Sequence, residues 1–298
     1  MVKKLWEARP AIKIDSNLYK YEKFISKKFN KKFNNNFKNI LKWSIKNSDI
    51  FWNTIWDFCN VKGLKGKKKI KKSKTFYKNI FLPNSKLNFT ENLLSKDDHS
   101  KAITFISENG YREQRSWKNL KNNVERLNFF LKKIKIKEKD RVAAYMPNIA
   151  ETVEAFLATL SLGAIWSSCS PDFGINGVIE RFSQIKPKVL IVGEKYFYNG
   201  KEINILERVP QILKKINSIK YLIIVNYPGQ RYFKKNYKFK KVKTFIWKDI
   251  KALDSKKLFY KKFDFDQELA ILYSSGTTGK PKCICHRSGG VLLQHLKE

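Results

Sequence analysis

The chain has 298 residues, of which 42% are hydrophobic and 14% aromatic; this excludes a disordered polypeptide and suggests two domains or one large domain with an appendage. Its formal charge of +36 raises nucleic acid or an anionic surface as partners. Only nine of the 62 basic residues are arginine, the side chain that grips phosphates and base edges in bidentate fashion, so a solvated lysine surface is the better reading and no specific nucleic-acid partner is expected.

The start, "MVKKLWEARPAIKID", has no apolar run behind its basic residues and does not read as a signal peptide. Helical spacing of Trp43, Ile45, Ile50, Phe51, Ile55, Trp56 and Phe58 in "LKWSIKNSDIFWNTIWDFCNV" (41–61) predicts paired helices with one buried aromatic face, the second capped by Asn47 or Ser48. "KGLKGKKKIKKSK" (62–74) has almost nothing to bury and reads as a solvated loop, with a contact to the phosphates of a nucleotide-like cofactor as the sharper alternative.

From about residue 97 strands alternate with helical patterns. "KAITFIS" (101–107), "RVAAYM" (141–146), "PKVLIVG" (187–193) and "KYLIIVN" (220–226) read as strands, and 116–134, 148–163, 174–186 and 206–217 as helices. The alternation predicts an α/β fold with a largely parallel sheet and flanking helices. The apolar stretch at 155–169 is too short and interrupted to span a bilayer, so no membrane span is expected. Residues 227–264 read as less ordered, and "ELAILYSS" (268–275) as one more strand.

That strand runs into "YSSGTTGKPKCICH" (273–286). Gly276 and Gly279 let successive backbone N–H groups turn into one concavity, Ser274, Ser275, Thr277 and Thr278 add hydroxyls, and Lys280 and Lys282 add charge. The composition is that of a polyphosphate cradle. A Walker loop needs G-x-x-x-x-G-K-[ST] opening into a helix, and here Pro281 stands after Lys280 and "KCICH" reads as a returning strand. Cys283, Cys285 and His286 have the wrong alternation and too few companions for a metal site, and the two thiols are expected to be buried. With Cys59 and Cys169 they make four cysteines without a disulfide framework, which fits a reducing cytosol and a cytoplasmic location.

"SSGTTGKPK" (274–282) resembles, position by position, the phosphate-loop signature of the adenylate-forming acyl-CoA synthetase superfamily. Within it, "FWNTIWDFCNVKG", "LPNSKLNFTENLL", "WSSCSPDFG" and "ERFSQIKPKVLI" are similar to the branch that activates acetoacetate. The resemblance covers nearly the whole chain. It implies the large adenylation domain of that fold, truncated: a cap over 1–95, the first part of the AMP-binding domain over 96–298, and a C-terminal domain, with the adenylation lysine, lying beyond. It further implies ATP, Mg2+ and coenzyme A as cosubstrates of acetoacetate, and a phosphate grip made by Ser274, Ser275, Gly276, Thr277, Thr278, Gly279 and Lys282. Acetate, propionate or another 3-oxo acid is the alternative substrate, and a noncatalytic polyanion-binding module the alternative class. On the resemblance alone, residues 1–298 are expected to show little synthetase activity by themselves.

Overall fold

The computed structural model describes residues 5–66, 70–229, 237–254, 257–274 and 279–298. The chain divides into two compact units, one containing the residues up to Ser85 together with Leu292–Glu298, the other Lys86–Val291.

The first unit is helical. Helices Asn17–Phe29, Phe37–Lys46 and Ser48–Phe58 enclose Tyr21, Ile25, Phe33, Ile40, Trp43, Ile55 and Trp56. Ser16 caps the first by accepting the Tyr19 N–H, and Asn30 ends it in a left-handed conformation. Phe33 meets Trp43 edge to face at 5.6 Å, and the hydroxyls of Tyr21 and Thr54 bond at 2.7 Å inside the core. The expected apolar face is narrower than its spacing suggested: Ile45 and Ile50 are exposed, because successive residues of the two short helices turn outward over a core already filled by indole rings. Asn47 holds the cap position of the third helix, yet its side chain donates backward to the Trp43 carbonyl, so Ser48 is the first helical residue rather than the cap.

The second unit is built on a seven-stranded sheet. Its strands in chain order are β1 (Arg141–Tyr145), β2 (Ile165–Cys169), β3 (Val189–Gly193), β4 (Tyr221–Val225), β5 (Lys243–Ile246), β6 (Glu268–Ser274) and β7 (Lys282–Arg287). The spatial order is β5-β4-β3-β1-β2-β6-β7, parallel throughout except for β7, which runs antiparallel to β6. Strands β1, β3 and β4 are short apolar runs buried on both sides, as a parallel sheet covered on both faces requires. Helix Trp117–Lys133 shows why the covering elements form: Ser116 accepts the Asn119 N–H at its start, Leu120, Val124, Leu127 and Leu131 recur on one buried stripe, and Lys132 and Lys133 face the carboxyl end of the helix dipole. It packs on helices Ala150–Ser161 and Trp247–Lys251, while Ile175–Ile185 packs on Val209–Lys215.

Three parts of the unit differ from the sequence expectation. Lys101–Ile106 does not join the parallel sheet; it pairs with the charged strand Arg112–Ser116 in a separate antiparallel hairpin, and none of its six residues is fully buried. The stretch read as less ordered contains β5 and the helix Trp247–Lys251, whose apolar core is only a few residues long between lysines. A second hairpin, Lys195–Tyr198 with Lys201–Asn204, turns on Asn199-Gly200, both at positive φ (50° and 70°), the two-residue turn that matches strand twist.

No helix among the described residues is long and apolar enough to cross a membrane.

Candidate functional site

The connection from β1 to β2 steps one way across the sheet and that from β2 to β3 steps back past β1, so a reversal lies at the middle of the sheet. In open parallel sheets ligands bind beyond the carboxyl ends of strands near such reversals. The carboxyl ends of β1, β2 and β6 bring together Tyr145, Cys169 and the segment Ser170–Gly174, and Tyr273–Ser274.

Ser274 closes β6 and Lys282 opens β7, and the two are register partners, so residues 275–281 form the connection between antiparallel strands. Gly279 has φ of 109°, with open space where a Cβ would stand. No helix begins at Lys282, which completes the exclusion of a Walker arrangement. Ser275, Gly276, Thr277 and Thr278 lie outside the described residues. Lys282 is exposed, as are Cys283 and Cys285, which corrects the expectation of buried thiols. Among the described residues strand β7 has one neighbouring strand, so its side chains lack the double cover that buries β3.

At the carboxyl ends of β2 and β6, beside Tyr273 and Ser274, stands a bonded wall. Ser167 Oγ lies 2.8 Å from the Ile271 carbonyl and 3.0 Å from the Tyr273 hydroxyl, tying β2 to β6. The Arg181 guanidinium stacks 4.1 Å from the Phe173 ring centroid and 5.7 Å from that of Tyr273, and donates to the Gly177 carbonyl at 2.8 Å. Arg208 donates to the Tyr145 hydroxyl at 2.6 Å and to the Pro171 carbonyl at 2.8 Å, while the Tyr145 hydroxyl donates to the Phe173 carbonyl at 2.7 Å. Ser170 donates to Asp172 at 2.7 Å. The segment after β2 is therefore fixed from two sides.

Burial pushes the Cys169 thiol up to about 12, with the Arg181 charge opposing it only in part. Burial likewise raises Tyr273, against its bond to Ser167, and raises Tyr145, against Arg208. These groups keep their protons at neutral pH. The described wall is thus a set of largely buried, mutually bonded groups that fixes the frame beside the connection, rather than a poised nucleophile.

Residues 94–297 match the model of the AMP-binding enzyme family. The chain belongs to the AMP-binding enzyme family. It is 41% identical over 256 residues to an acetoacetyl-coenzyme A synthetase of Rhizobium meliloti, covering 86% of this chain and 39% of that protein. It is 35% identical over 268 residues to the acetoacetyl-CoA synthetase of Gallus gallus, covering 87% and 40%. A malonamoyl-CoA synthetase of Penicillium aethiopicum is 32% identical over 267 residues, covering 86% and 37%. Among solved structures, acetoacetyl-CoA synthetase from Streptomyces lividans superposes with a TM-score of 0.89 at 27% identity, over 99% of this chain and 45% of that one. The chain spans about two fifths of the length of the curated relatives it matches.

Among the residues framing this AMP-binding domain's connection, Tyr145, Arg181 and Arg208 were not singled out by their sequence pattern. One signal was present: arginine is scarce in this chain, and Arg115, Arg141, Arg181 and Arg208 each hold specific partners that a lysine would not grip in the same plane.

Proposed function

We propose that the chain is the N-terminal part of an ATP-dependent acid–thiol ligase that joins acetoacetate to coenzyme A through acetoacetyl-AMP, with 1–95 as its cap and 96–298 as the first part of its adenylation domain. The acetoacetate carboxylate attacks the α-phosphate of MgATP and pyrophosphate leaves; the coenzyme A thiol then attacks the acyl carbon and AMP leaves. The observation that supports this reading is that Ser274, which closes β6 at its carboxyl end, is the register partner of Lys282, which opens antiparallel β7. Ser274, Ser275, Thr277, Thr278, the N–H groups of Gly276 and Gly279, and the Lys282 ammonium then bind the charge that grows on the departing pyrophosphate. Mg2+ bound with ATP would supply further charge neutralisation at the phosphates. Tyr145, Arg181 and Arg208 hold the wall against which the loop works. The cysteine content and the described helices fit a cytoplasmic enzyme.

A second reading, ligation of another short 3-oxo or amidated acid, is favoured by the similarity to the malonamoyl-CoA synthetase. Acid-dependent exchange of labelled pyrophosphate into ATP by the full-length protein tests both. Exchange that needs acetoacetate and is several-fold slower with acetate, propionate or malonamate supports the first. Equal or faster exchange with another acid replaces the substrate, and no exchange with any acid removes the ligase reading.

A further inference from the structure

One helix touches both ends of the connection between β6 and β7. Helix Ile175–Ile185 carries Arg181 and Gln184 three residues apart, so both side chains project from one side. Arg181 lies over Tyr273, the residue before Ser274. Gln184 Nε2 donates to the Pro281 carbonyl at 3.0 Å and to the Glu180 carbonyl at 2.9 Å, so each of its two amide hydrogens has an acceptor.

Pro281 stands just outside the β6–β7 ladder, whose last register pair is Ser274 with Lys282. Having no N–H, it offers its carbonyl as its one main-chain polar group, and its ring is buried. That peptide unit leads directly into Lys282. A bond that fixes the carbonyl therefore fixes the direction in which the lysine backbone enters the strand, while the side chain itself stays exposed. The Glu180 bond matters as well: it holds the Gln184 amide to its own helix, so the anchor is prearranged rather than a floppy surface contact.

We propose that Gln184 is a positioning residue for the phosphate grip, acting through Pro281 to set where Lys282 stands. The inference rests on the phosphate reading of residues 274–282. Its chemistry is that of a pyrophosphate dianion or higher anion, held at a distance the lysine reaches only when the start of β7 is fixed.

The test is a double-mutant cycle on the full-length protein, titrated calorimetrically with magnesium pyrophosphate. Lys282→Ala weakens binding about ten- to a hundredfold, the size of a charge-assisted bond. Gln184→Leu removes both amide donors, with a side chain one atom shorter, and weakens binding about three- to tenfold. In the Lys282→Ala background, Gln184→Leu changes affinity less than twofold, because the lysine it positions is gone; a general structural role would give the full loss in both backgrounds. Equal urea midpoints for the parent and Gln184→Leu show that folding is not the cause. Unchanged affinity in Gln184→Leu, or additive losses in the double variant, overturns the inference while leaving the phosphate reading in place. A parent chain that does not bind pyrophosphate overturns both, and the two failures are separate observations.

Discussion

The middle of the sheet and its β6–β7 margin are built on opposite terms. Strand β3 is buried along its whole length, with Val189, Leu190, Ile191 and Val192 at 0% exposure, whereas Cys283, Ile284 and Cys285 of β7 face outward, Ile284 at 46%. The interior fixes the frame by excluding water. The margin keeps polar and charged groups within reach of a ligand, and its order comes from single bonds such as Gln184 to Pro281. Stability and binding should therefore respond to different residues.

The largest effect falls on the frame. Ile191→Ala should destabilise the chain by about 2–5 kcal/mol, the usual range for a fully buried aliphatic truncation, whereas Ile284→Ala should cost well under about 1 kcal/mol. Urea unfolding followed by tryptophan fluorescence separates the two, and comparable losses would break the contrast.

A smaller effect, on pH dependence, comes from charge buried beside the frame. Arg115 donates to Glu151 at 2.6 Å and to Glu154 at 3.2 Å and also pairs with Glu113, and Asn123 donates to Glu154 at 2.7 Å. Those donors reach Glu154 Oε1, while Oε2 is buried with no hydrogen-bond partner. Burial, followed by repulsion from Glu151, raises the Glu154 carboxyl above its ordinary value of 4.5. A raised folded-state pKa means that the folded state holds its proton more tightly. Its contribution is present below about the unfolded value and is lost as pH rises through the folded one. Glu154→Gln should flatten the fall in stability as pH rises above 4.5, and chemical denaturation over a pH series starting there shows whether it does. An unaltered pH profile would mean the carboxylate is fully charged in place.

The smallest effect is at the Asn199-Gly200 turn. Gly200→Ala meets no neighbouring atom, yet φ of 70° strains any Cβ, so the cost should be about 1 kcal/mol with pyrophosphate affinity unchanged. Thermal unfolding and titration of the same sample check both halves.

The contrast also explains what was legible in the sequence. Strands β1, β3 and β4 announce themselves as apolar runs, and the loop 274–282 by its density of hydroxyls, glycines and lysines. Strand β5 did not, because four residues between lysines carry too little pattern, although it pairs along its length with β4. The Asn199-Gly200 hairpin carries a readable turn signal in its two central residues. Cys283 and Cys285 were misplaced because alternation tells which residues share a face, not whether that face is covered. Arg181, Gln184 and Arg208 act through contacts with segments far along the chain, which no local pattern records.

The proposed phosphate binding belongs to the 274–282 connection and not to the lysine surface at large. The most direct measurement titrates the full-length protein and Lys282→Ala with magnesium pyrophosphate and with duplex DNA at physiological ionic strength. Pyrophosphate binding that falls at least about tenfold in Lys282→Ala, beside DNA binding that is weak, steeply salt-dependent and unmoved by the substitution, is the predicted result. Pyrophosphate binding unaffected by Lys282→Ala, or DNA bound more tightly than pyrophosphate, would contradict it.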